Sequence, residues 1–336
     1  MTAGLAIDNR QPIPRCSLFA IRSSCESRVE LRAMADSNLK QVSRPRLMLS
    51  LSAGIVAISC ASIFVRFAHA KGMPALSIAA WRLVFACAVL LPWALIRYRD
   101  EILAIPFRDL GMLGVSGVFL GLHFATWIAS LEYTSVASSV VLVSIGPVFV
   151  GIGSWVLLGE RPVMWLIVGL ALATVGSIVI GLGDLGGGRN RLLGDVLALA
   201  GAMFVAGYLM IGRRVRGRLS LYAYIAVVYG VAMVALLVMV WASGQPMLGF
   251  SPAAFGWAAA LGLAPQLVGH SILNWALRYL SATLVAIVTL AEPIGSSLLA
   301  YLLLHESITL STALGGVVVL TGIGLASRSS RSDIVS

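Results

Sequence analysis

Charge is scarce in this chain: 11% of its 336 residues are Asp, Glu, Lys or Arg, against 59% hydrophobic residues and a mean hydropathy of +0.95. No soluble core hides that much apolar surface, so a water-soluble globular class is excluded and lipid has to be the solvent. Cysteine is sparse as well. Cys16, Cys25, Cys60 and Cys87 show no ligand spacing and read as free thiols, the latter two as small side chains of the membrane core. The two-residue alternation of a membrane barrel is missing too. Since every backbone polar group in hydrocarbon needs an internal partner, the apolar runs of about twenty residues read as helices.

The chemistry of enzymes is also missing, because neither HExxH nor a nucleophile elbow occurs. Gly181-Leu182-Gly183-Asp184-Leu185-Gly186 formally satisfies GxGxxG and contains GxGD. A dinucleotide site needs a strand feeding a helix, whereas this segment leaves a membrane helix for a loop. Aspartyl chemistry needs a second intramembrane Asp, which the spans lack. His123 and His270 are isolated, so no metal site is read and no cofactor is expected. The formal net charge of +10 raises nucleic acid as a partner, but the cations flank the apolar runs without a basic domain. The partners implied are the bilayer, with its anionic lipids, and a small-molecule substrate.

What is present is a duplication. Leu131 to Gly176 reappears as Leu277 to Gly322, displaced by 146 residues without a gap. Tyr133/Tyr279, Pro147/Pro293, Glu160/Glu306, Gly169/Gly315 and Gly176/Gly322 carry the match, because apolar composition does not align a proline, a glutamate and two glycines. Spans are expected near 48–68, 75–96, 110–131, 135–158, 163–181, 195–212, 219–242, 253–275, 281–304 and 309–327. The fold class is therefore an all-α integral membrane protein of ten transmembrane helices in two five-helix repeats. Residues 47–182 form the first repeat, 183–194 an outer linker, 195–327 the second repeat and 328–336 a tail. Residues 1–46, polar and rich in Arg and Ser, are expected to be a disordered cytoplasmic tail, with Met34 as an alternative start.

Orientation follows from the cations. Arg97, Arg99, Arg108, Arg161, Arg213, Arg214, Arg216, Arg218, Arg278, Arg328 and Arg331 lie on the side of the N-terminus, while Lys71, Arg189 and Arg191, with Arg66 near a helix end, lie opposite. Both termini are thus cytoplasmic. An odd number of helices per half makes the second copy enter from the other face, so the repeats are inverted. Two inverted halves exchange inward-open and outward-open states around a midplane site, which is the basis of alternating access.

The segments Ser130-Leu131-Glu132-Tyr133-Thr134-Ser135, Gly146-Pro147-Val148-Phe149 and Leu157-Leu158-Gly159-Glu160-Arg161 resemble the EamA-like branch of the drug/metabolite transporter superfamily. Leu277-Arg278-Tyr279, Ala291-Glu292-Pro293-Ile294 and Leu303-Leu304-His305-Glu306 repeat the pattern. The resemblance implies a ten-helix carrier of the bacterial inner membrane, exporting amino acids or related solutes around a central cavity. A membrane metabolite sensor or scaffold is the alternative, proton coupling is a further expectation and a homodimer is left open. Pro147, Glu160, Pro293 and Glu306 are the repeat motif. His305 in place of Gly159, and Glu292 in place of Gly146, make the halves chemically unequal.

Glu292 is the sharpest single signal, since a carboxylate at a span centre costs about 2.5 to 3.5 kcal/mol on insertion scales. It is either a coupling or substrate-amine group, or a satisfier of backbone freed by Pro293. Arg82 either pairs with Glu292, meets an anionic substrate group, or snorkels outward. Trp81, Arg82, His123, Trp127, Tyr208, His270 and Asn274 are the substrate-cavity candidates. His270 and Asn274, four apart, share a helical face, as a cavity lining or as interhelical glue. Phe64, Phe124 and Trp275 are further wall candidates, whereas Trp93, Trp165, Trp241 and Trp257 read as lipid-interface anchors. Gly111, Gly114, Gly117 and Gly121 form a small-residue stripe suited to helix contact.

Overall fold

The first four N–H groups of a helix lack intrahelical acceptors, and four helices of the second half begin where a side-chain oxygen replaces one. Asn190, Ser220, Ser251 and Ser281 accept from the backbone N–H of Leu193, Ala223, Ala254 and Leu284 at 3.3, 3.2, 3.3 and 3.2 Å. Such caps fix where each apolar run starts to wind.

This computed structural model describes residues 42–134, 139, 142–160, 162–182, 190–304 and 310–333. The elements of the first half are α1 (Arg44–Ser59), α2 (Ala61–Ala70), α3 (Ala75–Arg97), α4 (Arg99–Leu103), α5 (Phe107–Tyr133), α6 (Gly146–Gly153) and α7 (Met164–Leu182). Those of the second are α8 (Arg191–Arg216), α9 (Leu221–Ser243), α10 (Pro252–Leu261), α11 (Ser271–Ala276), α12 (Ala282–Thr289), α13 (Glu292–Leu304) and α14 (Leu310–Asp333). Two π-helical segments extend α6 over Ser154–Leu158 and join α10 to α11 over Gly262–His270. No strand occurs among the described residues. The expected tail up to residue 41, Met34, Arg161, loop residues 183–189, His305 and Glu306 lie outside them.

Seven helices among the described residues are long and apolar enough to cross a membrane: Pro45–Ala70, Ala75–Arg97, Phe107–Tyr133, Arg191–Arg216, Leu221–Ser243, Ala282–Leu303 and Leu310–Arg328. The eighth expected span is not a single such helix, and residues 135–138 and 140–141 of the fourth lie outside the described residues. Gly146–Leu158 and Met164–Ile180 are shorter apolar helices, the latter rising only about 25 Å at 1.5 Å per residue. The eighth is interrupted because Pro265 lacks an N–H and the chain winds through π turns around it. Two further boundaries differ from expectation: α8 starts at Arg191, inside the expected linker, and α14 runs on to Asp333.

The duplication is visible in the backbone. Helix gives way to a turn at Ser144–Ile145 and again at Leu290–Ala291, the same offset of 146. Tightened bonds close both turns, Ile145 N–H to Leu142 O at 3.2 Å and Leu290 N–H to Ile287 O at 3.1 Å. Each turn precedes a proline by two residues, and Pro147 or Pro293 cannot supply the next backbone donor.

The duplicated glycines meet one another. A Cβ on Gly169 would lie 2.6 Å from Gly322 O, and one on Gly176 would lie 2.7 Å from Gly315 O. The earlier glycine of α7 pairs with the later one of α14, so these helices are antiparallel. The two contacts exchange under the 146-residue shift, which relates the helices by a pseudo-two-fold axis. Only glycine lets two backbones approach this closely.

The centre is built by α3, α5, α8 and α9, with the π segment against α3. Of the expected stripe on α5, Gly117 and Gly121 face the backbone of α9 at Val228 and Ala232. Gly111 and Gly114 have open space beside them, so the stripe is half a contact surface.

Candidate substrate site

Arg82 sits on α3 with 1% of its surface exposed, so it does not snorkel. Its Nε donates to Gln266 Oε1 at 2.9 Å, and its guanidinium carbon lies 3.9 Å from the centre of the Phe124 ring. A cation over a desolvated ring gains about 2 kcal/mol and a charge-assisted hydrogen bond about 1.5 to 3 kcal/mol. Taking the ion out of water costs several kcal/mol, so these two contacts leave little margin without a counter-charge.

Glu292 is that counter-charge. It opens α13 immediately after the Leu290–Ala291 turn and is half-buried. Arg82 and Glu292 attract through space, yet they form no contact ion pair. The turn that carries Glu292 is held to α1, because Ser59 Oγ donates to Glu292 O at 3.3 Å while Ser296 Oγ donates to Ser59 O at 3.0 Å. Ser59 thus serves the carbonyl of Glu292 itself.

Around Arg82 polar side chains converge from other helices. Tyr229 Oη on α9 donates to Gln266 O at 3.4 Å, and the Asn274 amide donates to Tyr229 Oη at 3.3 Å and His270 O at 2.8 Å. The His270 ring meets Phe124 edge-on at 5.3 Å. Tyr208 on α8 is fully buried within electrostatic reach of Tyr229 and Arg82. Tyr208 lies close enough to the Asn274 side chain to bond it, whereas Arg82 Nη2, Gln266 Nε2 and His270 Nδ1 have no hydrogen-bond partner. An orphaned buried polar atom costs about 1 to 3 kcal/mol, and three in one place is a concentration that packing alone does not favour.

Of the other candidates, His123 is within electrostatic reach of Arg82 and His270, and the rest fall elsewhere. Trp81 Nε1 donates to Met247 O at 2.8 Å and its ring lies edge-on to Phe255 at 5.0 Å, so it anchors the α9–α10 loop. His123 is tied to Gly201 O at 2.9 Å and stacks 6.2 Å from Trp127, forming the α5–α8 wall beside the centre. Phe64 packs with Trp257, and Trp257 also lies tilted against Phe67 at 4.6 Å, making an aromatic knot between α2 and α10 rather than a free interface anchor. Trp275 pairs with Tyr279 at 5.1 Å. Trp93, Trp165 and Trp241 are largely exposed. Pro147 and Pro293 sit at the helix breaks. Glu160 pairs with Arg213 at 2.8 Å, and Arg213 also donates to Leu277 O at 3.1 Å, joining the end of α6 to the second half. Among the described residues no three His, Cys, Asp or Glu cluster as metal ligands.

Two contributors escaped the sequence reading. Tyr229 was legible as a hydroxyl in mid-span. Arg216, read as an inner-loop cation, is 1% exposed, with Nε donating to Asn274 O at 2.9 Å and Nη1 to Leu219 O at 2.5 Å. It lies four and eight residues beyond Gly212 and Tyr208, hence on their buried face.

The sequence model of the EamA-like transporter family matches residues 47–182 and again 192–328. An uncharacterized transporter of Archaeoglobus fulgidus is 27% identical over 273 residues, 81% of this chain and 93% of that protein. One from Clostridium kluyveri is 24% identical over 257 residues, 73% of this chain and 82% of its own. A solved crystal structure, 19% identical, superimposes with a TM-score of 0.70 over 86% of this chain and 99% of the other, a likeness of fold alone.

Proposed function

The chain belongs to the EamA-like transporter family, and from that premise we propose a secondary carrier that exports amino acids or related small solutes by alternating access. The observation that carries this reading is the buried polar centre, where Arg82 and Glu292 face each other without closing an ion pair, among partnerless donors and acceptors. Intramembrane charges are costly and mark solute or proton pathways. A centre that only had to hold helices together would be cheaper with its polar atoms paired.

In this reading the helices form ten spans in two inverted five-helix repeats. The antiparallel glycine crossing of α7 with α14, which obeys the repeat offset, supports it. The arginine distribution supports cytoplasmic termini, and the family resemblance supports a bacterial inner membrane. Discontinuous helices at matching positions of the two halves are how inverted-repeat carriers expose a midplane site, and Glu292 stands at one such break. Glu292 exchanges a proton during the cycle, with Arg82 as the facing charge.

The test is counterflow in sealed vesicles containing the purified chain, with and without an imposed proton gradient, beside Glu292→Gln. Amino acids exchange across the wild-type vesicles, and the gradient drives accumulation that Glu292→Gln loses. Gradient-driven accumulation that survives in Glu292→Gln removes that residue from coupling. Saturable binding with no movement makes the protein a membrane sensor.

A further inference from the structure

We propose that the cleft between the π-helical extension of α6 and the end of α8 binds the phosphodiester of an anionic phospholipid, held by Arg214 and the free edge of Arg213. The site lies outside the central cluster and does not depend on the transporter reading.

The cleft has a volume of about 310 Å³ and is lined by Leu157, Leu158, Glu160, Arg213 and Arg214. That is the lower end of small-molecule pockets, which run from roughly 300 to 1,000 Å³. Its depth in the bilayer follows from the elements that make it. Arg213 and Arg214 stand in the last turn of a membrane-crossing helix that ends at Arg216. Trp165, half-exposed in the first turn of α7 just after Glu160, has Arg328 over its ring at 5.7 Å. Exposed indole rings at helix ends settle at the headgroup layer, so the cleft opens at that level.

Charge decides the class of ligand. Arg213 spends Nε on Glu160 Oε1 at 2.8 Å and Nη1 on Leu277 O at 3.1 Å, which leaves the donors of Nη2. Glu160 Oε2 is buried, so the second carboxylate oxygen is turned from the open cleft. Arg214 is exposed, and no carboxylate pairs with it among the described residues. Two other carboxylates of this membrane end, Asp109 and Glu101, are already engaged by Arg218 at 3.2 Å and by the Ser220 N–H at 2.7 Å. Two guanidiniums against one carboxylate leave the cleft one positive charge in excess. A lipid phosphodiester carries one negative charge, and its two free oxygens suit planar N–H donors.

The wall beside the charges selects a lipid over a soluble anion. Trp155, Val156 and Leu157, consecutive on the π extension, are 58%, 69% and 65% exposed. They give acyl chains an apolar flank leading from the cleft into the hydrocarbon. Gly159, at φ +71° with open space where a Cβ would stand, turns the chain out of the helix and leaves the mouth of the cleft uncovered. Basic pockets between membrane helices at the headgroup level are where anionic headgroups bind.

The experiment titrates the purified full chain, in a neutral detergent, with phosphatidylglycerol, phosphatidylcholine or inorganic phosphate. Binding is read from melting-temperature shifts and from the lipid retained in native mass spectrometry. The proteins are wild type, Arg214→Gln, Arg214→Lys and Arg99→Gln, the last removing an exposed cation of the same membrane end outside the cleft. Phosphatidylglycerol is expected to bind wild type at least about fivefold tighter than phosphatidylcholine, whose headgroup carries no net charge. Arg214→Gln is expected to weaken it about fivefold, Arg214→Lys to fall between because it keeps the charge and loses the fork, and Arg99→Gln to leave it unchanged. An equal loss in Arg99→Gln and Arg214→Gln makes the effect one of general surface charge and overturns the cleft. Inorganic phosphate acting as strongly as phosphatidylglycerol overturns the lipid in favour of a soluble anion. Phosphatidylglycerol binding no tighter than phosphatidylcholine, or unaltered by Arg214→Gln, overturns the proposal outright.

Discussion

A single methyl group at the α7–α14 crossing is the sharpest structural perturbation available. In Gly315→Ala the new Cβ would stand 2.6 Å from Gly176 O and 2.9 Å from Ile180 N, both backbone atoms of the partner helix. Ordinary van der Waals contact begins near 3.4 Å, so the helices must part by about 0.8 Å at that point. A radial gap of about 0.5 to 1 Å forfeits a quarter to a half of the dispersion attraction between the atoms it separates, and overpacking typically costs about 1 to 3 kcal/mol. The expected loss in the folded-to-unfolded ratio is therefore about fivefold to 150-fold. Equilibrium unfolding in mixed detergent micelles measures it, with Gly324→Ala as the control, since a Cβ there meets nothing within 4 Å. The control should be no weaker than wild type and up to about 1 kcal/mol more stable, since alanine is favoured over glycine inside a helix. Gly176→Ala should cost about as much as Gly315→Ala because the two contacts are related by the repeat. The double variant should cost less than the sum, since one opening of the crossing accommodates both methyls. A Gly315→Ala no weaker than Gly324→Ala would refute the close approach, and additive costs would refute a shared crossing.

Other substitutions test other joints. Arg216→Met leaves Asn274 O and Leu219 O without their donor, and should destabilise by about 1.5 to 3 kcal/mol in the same unfolding measurement. The Glu160–Arg213 pair is about a third exposed, so its coupling in a double-mutant cycle should be no more than about 0.2 to 1 kcal/mol; a coupling of several kcal/mol would mean the pair is far better shielded. Pro265→Ala restores a backbone donor inside the π segment, so amide hydrogen exchange over residues 262–270 should slow while counterflow slows with it. Faster exchange there would show that Pro265 does not hold the interruption open. Trp81→Phe removes the bond to Met247 O and should raise proteolytic cleavage of the α9–α10 loop without changing which solutes bind.

The parts of this architecture legible in the sequence are those where one residue type is physically required. Gly169, Gly176, Gly315 and Gly322 were readable as a repeat because any side chain at the crossing would collide with backbone. Arg82 and Glu292 stood out because charge is so rare in apolar spans. Other features depend on neighbours that a single chain does not reveal. Arg216 was hidden beside Arg213 and Arg214, where a cation usually means a loop, and its burial follows from how α8 packs against α11. Trp81 immediately precedes Arg82 in sequence, but adjacent residues on a helix point about 100° apart, so one reaches the centre and the other the outer loop. Pro265 announced a disturbance in the eighth span. Whether the helix would kink or wind through π turns was set by α3, whose Arg82 O and Phe85 lie within 3 Å of a Cβ placed on Gly262.

Alternating access is tested most directly at Ser271, which touches Tyr229 Oη in the buried centre at 3.3 Å. In a chain whose native cysteines have been replaced, Ser271→Cys is exposed to a membrane-impermeant thiol reagent from one face in right-side-out vesicles and from the other in inverted ones. A carrier exposes that position to both faces in turn, so the account predicts labelling from each side, slowed by a bound amino acid. Labelling from one side only, unaltered by any solute, would contradict it.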